Sequence, residues 1–174
     1  NLLSNFINSL KEKNESFKSQ LYQDVFADYL IKNEDRKTFL EFGATNGIDL
    51  SNTYSLEKYS NWIGVLGEPD PQWYENLKKN RPKTKIITKC IWKKTGDTID
   101  FLSSKNGVLS TIKSFRYSDK ESMSVNSKLR NKEFINIKID TISLNDLIKN
   151  EFDDIAPSYI SVDTEGSEYE ILES

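Results

Sequence analysis

The sequence predicts an α/β fold built on an open, mostly parallel, Rossmann-like sheet. Three observations lead there. Short apolar runs alternate with stretches of helical periodicity. Trp62-Ile63-Gly64-Val65-Leu66 is continuously apolar, as strands covered on both faces are. The spacing strand–helix–strand–helix–strand from residue 38 onward suits parallel strands joined by right-handed crossovers.

The elements follow in order. Residues 1–32 read as helical, with Leu2, Leu3, Phe6, Ile7 and Leu10, and then Leu21, Val25, Phe26 and Leu30, at helical spacing. After a polar break at 33–37, Thr38 to Phe42 is a short strand running into a loop with two glycines. Ser51 to Lys58 is a helix with Ser51 or Asn52 as candidate cap. The Trp62–Leu66 strand ends at Pro69–Pro71, Trp73 to Asn80 is a helix, and Lys85 to Trp92 is the next strand. Thr98 to Leu102 is a strand entered by a Gly96-Asp97 turn. Ser114 to Lys132, rich in Ser, Lys and Arg, reads as a surface excursion. Phe134 to Asp140 alternates as a half-exposed strand does, and Ser143 caps a helix to Lys149. Tyr159 to Asp163 is the last strand, and a helix begins at Ser167. The chain thus divides into an N-terminal helical segment, 1–37, and one α/β domain, 38–174.

Bulk properties narrow the function. With 174 residues, 36% hydrophobic and 11% aromatic, the chain supports one packed core and not a disordered coil. Net charge is −3 with the signs mixed, so neither nucleic acid nor an anionic membrane is an expected partner. No apolar run is long enough to span a bilayer and no signal-peptide pattern opens the chain, so a cytoplasmic location is expected. A single cysteine, Cys90, forms no internal disulfide. There is no histidine. That removes Ser-His and Cys-His triads and most zinc sites, and leaves Asp, Glu, Lys or Tyr for any general base.

Three strands end on acids: Glu41, Glu68 and Asp163. Open α/β sheets bind ligands beyond the carboxyl ends of their strands, and Glu41 and Glu68 are expected side by side there. The loop Gly43-Ala44-Thr45-Asn46-Gly47 uses small residues that let a ligand approach the backbone. S-adenosylmethionine fits this pattern. Glu41 can accept from its ammonium while loop amides meet its carboxylate. Glu68 can accept from the ribose hydroxyls. Adenine needs an apolar slot, for which Cys90-Ile91-Trp92 is nearest. The loop is Gly-x-x-x-Gly and not the Gly-x-Gly-x-x-Gly of dinucleotide binders, which favours the methyl donor over NAD.

The stretches Phe39–Gly47, Leu50–Tyr54, Leu56–Lys58, Trp62–Pro69, Asn80-Arg81, Thr141–Ile148 and Ser161–Glu168 together resemble the FkbM-type methyltransferases. Ser19 to Asp24 looks like the opening segment of one branch. The resemblance implies a class I methyltransferase sheet and O-methylation of a hydroxyl on a sugar, glycan or small metabolite, leaving S-adenosylhomocysteine. By position it places Glu41 and Gly43 at the methionine part of the donor, Glu68 at the ribose, and Asp163 to Glu165 on the floor of the active site. The candidate donor-binding residues are then Glu41, Gly43, Ala44, Thr45, Asn46, Gly47, Asn52, Glu68, Pro69, Cys90, Ile91 and Asp163. Such sheets continue past the Asp163 strand, so the chain is expected to lack its C-terminal strands. The match is poorest over 93–133, where acceptor choice is expected to reside.

Asp163 or Glu165 is the candidate base or hydroxyl ligand, and clustered carboxylates predict a raised pKa on one of them. No paired-ligand motif predicts a metal. Glu165 and Glu168 also read as first-turn acids favoured by a helix dipole. Trp62, Trp73 and Trp92 read as core, and Cys90 as a small buried residue. Ser110-Thr111 can line the substrate mouth or end a strand. The competing readings are a nucleotide-dependent oxidoreductase and a non-catalytic binding domain.

Overall fold

The structure is a computed structural model that describes residues 2–12, 17–31, 33–105, 109–115 and 134–173. Helices α1 (Leu2–Glu12) and α2 (Gln23–Ile31) precede strand β1 (Thr38–Phe42). Then come α3 (Tyr54–Ser60), β2 (Ile63–Gly67), a 3-10 turn at Pro71–Trp73, α4 (Tyr74–Asn80) and β3 (Lys85–Ile87). Strands β4 (Cys90–Ile91), β5 (Thr98–Ser104), β6 (Thr111–Ile112) and β7 (Phe134–Ile142) follow, and α5 (Leu144–Phe152), β8 (Tyr159–Val162) and α6 (Glu168–Leu172) complete the order. Among the described residues no helix is long and apolar enough to cross a membrane.

Two four-stranded sheets result, β3-β2-β1-β8 and β4-β7-β5-β6. The first is wholly parallel, with Phe42 opposite Gly67 on one side and Val162 on the other. The expected parallel α/β sheet is therefore present. The second sheet corrects the expectation of one mostly parallel sheet. Its β4–β7 pair is parallel, but β5 runs antiparallel to both β7 and β6. The single strand read over Lys85–Trp92 is two strands on different sheets, with Thr88-Lys89 between them. A continuous apolar run does not reveal where its hydrogen-bond partners change.

Side-chain alternation along β1 divides the core. Leu40 and Phe42 pack with Val65, Ile142, Leu147, Phe152 and Ile171, beneath α5 and α6. Phe39 packs with Ala27, Leu56, Trp62, Leu66 and Leu77, beneath α2, α3 and α4. All five residues of β1 are buried, as a central strand covered on both faces requires. A third cluster, Cys90, Phe101, Ile112 and Ile139, belongs to the second sheet.

Local boundaries shift for physical reasons. Ser143 caps α5, its hydroxyl accepting from the Asp146 amide at 3.2 Å. Helix α3 starts three residues later than the pattern suggests, because Ser51, Asn52 and Thr53 are turned to Glu41. The two apolar runs read as helical over residues 1–32 fall in and around α1 and α2, and Tyr22 has φ 61° ahead of α2. The Ser114–Lys132 excursion lies almost wholly outside the described residues.

Packing leaves no room at Gly64. A Cβ there would stand 2.2 Å from the Phe39 carbonyl oxygen and 2.5 Å from its ring. Gly64→Ala is expected to cost about 3 kcal/mol of folding free energy as strands β1 and β2 are forced apart. Urea denaturation measures it, and a loss under about 0.5 kcal/mol would contradict this packing.

Candidate active site

A cavity of about 330 Å³ opens at the carboxyl ends of β1, β2 and β8, where the first sheet meets the second. This falls at the lower end of the volumes typical of small-molecule sites. Glu41, Gly43, Thr45, Asn46, Asn52, Glu68, Pro69, Cys90, Ile91, Asp163 and Glu165 all line it. Two candidates do not. Ala44 is buried in the core at 1% exposure, and Gly47 lies against Leu77 and Arg81.

Glu41 reaches the cavity from a strand position whose side chain faces α3 and α4. Its carboxylate accepts from the Asn52 amide at 2.7 Å, the Ser51 hydroxyl at 2.9 Å and the Thr53 hydroxyl at 2.5 Å. Burial raises its pKa, against the opposing pull of Thr53, the Arg81 charge, Asn52 and Ser51. Glu41 therefore holds the 51–53 loop in place.

Arg81 is the counterpart. Its guanidinium is buried, pairs with Glu57 at 2.5 Å, and donates to the Gly47 carbonyl at 3.1 Å and to Thr53 Oγ1 at 3.2 Å. Gly47 has φ 77° and passes so close that a Cβ would meet Arg81 Cγ at 2.8 Å. Gly43, at φ 79°, leaves no space either: a Cβ would lie 2.1 Å from the Asp163 carbonyl oxygen. The loop after β1 and the end of β8 are in backbone contact.

Glu68 directly follows β2, beside Glu41's strand, as expected. It is 4% exposed and accepts from the amides of Thr45 and Asp70, each at 2.8 Å. Burial, with the Asp70 charge adding to it, raises its pKa to about 7 despite these two bonds. Two amides leave part of the carboxylate's accepting capacity unused. Cys90 is a buried thiol with its pKa pushed up to about 12 by burial and by Glu68, so it forms wall and not nucleophile.

Asp163 follows β8 and is accessible from the cavity. The surrounding protein, and then the Glu168 charge, raise its pKa. Glu165, at φ 59°, lines the same side. Glu41, Glu68 and Asp163 are all raised, each first by burial and not by the mutual repulsion expected of clustered acids. Glu168 differs. Its carboxylate accepts from the Thr164 amide at 2.8 Å and the Gly166 amide at 3.0 Å, which clamps the 163–167 turn. Burial opposes its ionisation, but these amides win and lower its pKa.

The structure adds supports and lining residues to those assigned from sequence. Behind the wall, Asp70 is buried and accepts from Gln72, from Ser103 at 3.0 Å and from Ser110 at 2.7 Å, which ties the second sheet to the end of β2. Ser110 thereby lines the cavity, while Thr111 donates to the Glu165 carbonyl at 3.1 Å. Trp73, read as core, lines the cavity too; Trp62 is core, and Trp92 packs edge-on against Phe115. Gln20, Asp49, Lys89 and Phe101 are among the further additions. No short motif marks these positions, since their roles arise from long-range contacts.

Parallel strands ending on carboxylates around one cavity define a small-molecule site of the α/β type. A family model described as methyltransferase FkbM domain matches residues 41–174, and the chain belongs to that methyltransferase family. No curated protein and no solved structure matches the chain.

The Glu41–Arg81 network is testable. Arg81→Met leaves Glu41 and Glu57 without their buried cation and is expected to cost about 3–5 kcal/mol in urea denaturation. A variant as stable as the wild type would show that the network is not holding the loop.

Proposed function

We propose that the chain is an S-adenosylmethionine-dependent O-methyltransferase with a class I type of site. The observation that carries this reading is the charge of the cavity. Its described lining residues include five carboxylates, Glu41, Asp49, Glu68, Asp163 and Glu165, against one ammonium, Lys89. Such a lining favours a sulfonium ligand carrying an ammonium and disfavours the pyrophosphate of a dinucleotide. The chemistry of the walls also fits. Glu68 retains accepting capacity for a ribose diol, and Pro69, Cys90 and Ile91 offer an apolar slot for adenine. Asn52 Oδ1 is a buried acceptor that lacks a donor, and a ligand ammonium would satisfy it.

When bound, the donor supplies an already activated methyl group on sulfur. The chain then has to position an acceptor and take its proton. Asp163 is the base in this reading. A pKa raised toward the working pH makes its carboxylate a better proton acceptor. Glu165 binds the acceptor hydroxyl or its neighbour. Ser110, Phe101 and Ile112 of the second sheet line the adjoining wall, which suits a sugar or small metabolite with polar and apolar faces. The Glu168 clamp and the Thr111–Glu165 bond fix the turn that carries both acids.

Three outcomes test the reading. S-adenosylhomocysteine should raise the melting temperature and NAD should not, with a stabilisation of about 2.7 kcal/mol at a hundredfold excess over Kd. Its affinity should rise with pH through about 7, because a diol is bound by ionised Glu68 and the empty site holds Glu68 largely protonated below that value. The gain from pH 6 to pH 8 is roughly tenfold, and Glu68→Gln flattens it. Equal stabilisation by both ligands, or none by either, would sink the donor assignment. Asp163→Asn should lose turnover by at least about a hundredfold while binding S-adenosylhomocysteine normally. Undiminished turnover would remove Asp163 as the base.

A further inference from the structure

The segment Ser19 to Asp24 lies outside the family-matched region, which begins at residue 41. The structure nonetheless brings it to the cavity. Gln20 lines the wall together with Asn46, Asp49, Leu50 and Asn52 of the loop after β1. Its flanks are firmly held. Asp24 is fully buried and accepts from the Ser19 hydroxyl at 2.6 Å and the Ser55 hydroxyl of α3 at 2.5 Å. The Leu21 amide donates to Gln23 at 2.8 Å, and the Phe17 and Tyr22 rings pack edge-on at 4.9 Å. Ser19 and Asp24 thus anchor the segment from within the fold, whereas Gln20 and Leu21 between them are exposed.

Its place in the cavity narrows what it meets. The Asn52 amide donates to Ser161 of β8, so this wall belongs to the β1–β8 side. Cys90, Ile91 and Lys89 lie on the other side, where the chain passes from β3 to β4. With its ribose at Glu68 and its base at Cys90–Ile91, a ligand would have its remaining end left to meet Asn52 and Gln20, which line the same cavity. That end is an α-amino acid, with a carboxylate that needs donors. Lys89, the one cation among the described lining residues, is on the far side. A primary carboxamide offers two donors and an acceptor, which suits a carboxylate beside an ammonium.

We propose that Gln20 binds the amino-acid end of the methyl donor, so that a segment preceding the matched domain completes the site. This rests on the donor reading above. Calorimetric titration of the full chain with S-adenosylhomocysteine and with 5′-methylthioadenosine, which lacks the amino-acid group, separates the two claims. Gln20→Ala should weaken the homocysteine compound about tenfold or more, as for a lost hydrogen bond to a charged group, and leave methylthioadenosine within about twofold. Gln20→Glu should weaken it further by repelling the carboxylate. Unchanged binding of both ligands by Gln20→Ala, or equal weakening of both, overturns the role of Gln20. A wild-type chain that binds neither ligand overturns the donor reading, and this inference with it.

Discussion

A buried carboxylate at the end of the central strand organises this molecule. Glu41 has almost no exposed surface, and its oxygens collect an amide and two hydroxyls from three consecutive residues, Ser51, Asn52 and Thr53. The Arg81 guanidinium stands behind it and reaches Thr53, Gly47 and Glu57. Leaving either charge alone in that environment costs several kcal/mol, so the two hold each other and the loop between them. From this follow the late start of α3, the positive φ of Gly47 and the aim of Asn52 toward Ser161. The site is rigid on this side because its supports are internal to the fold.

The opposite side is held by a second carboxylate of the same kind. Asp70 gathers Gln72, Ser103 and Ser110, and so fastens the mixed sheet against the parallel one. Its own amide donates to Glu68. The cavity thus lies between two buried acids that do structural work, while Glu68 and Asp163 keep capacity for a ligand. At Glu68, whose pKa burial raises to about 7, the neutral and charged forms are close enough in energy for ligand binding to choose between them.

Much of this was legible in the sequence. The parallel arrangement followed from period and spacing, and the three strand-end acids could be placed on one edge because parallel strands put their carboxyl ends together. Eleven of the residues assigned to the site do line the cavity. Ala44 and Gly47 do not, because a loop pattern states which residues are small and not which way each one faces. The division of Lys85–Trp92 between two sheets was also hidden, since apolarity marks burial and is silent about pairing.

What the sequence alone determined is therefore the fold class, the family resemblance and the acids around which a site could form. These depend on local periodicity and on residue types at short spacing. Only the tertiary structure decided that Glu41 is spent on its own loop, that Arg81 and Asp70 anchor the two walls, and that Gln20 reaches the cavity from outside the matched region. Each of those outcomes is a contact between residues distant in the chain. Hydrogen-bond geometry and desolvation, acting in three dimensions, set which buried acid is satisfied internally and which is left with capacity for a ligand.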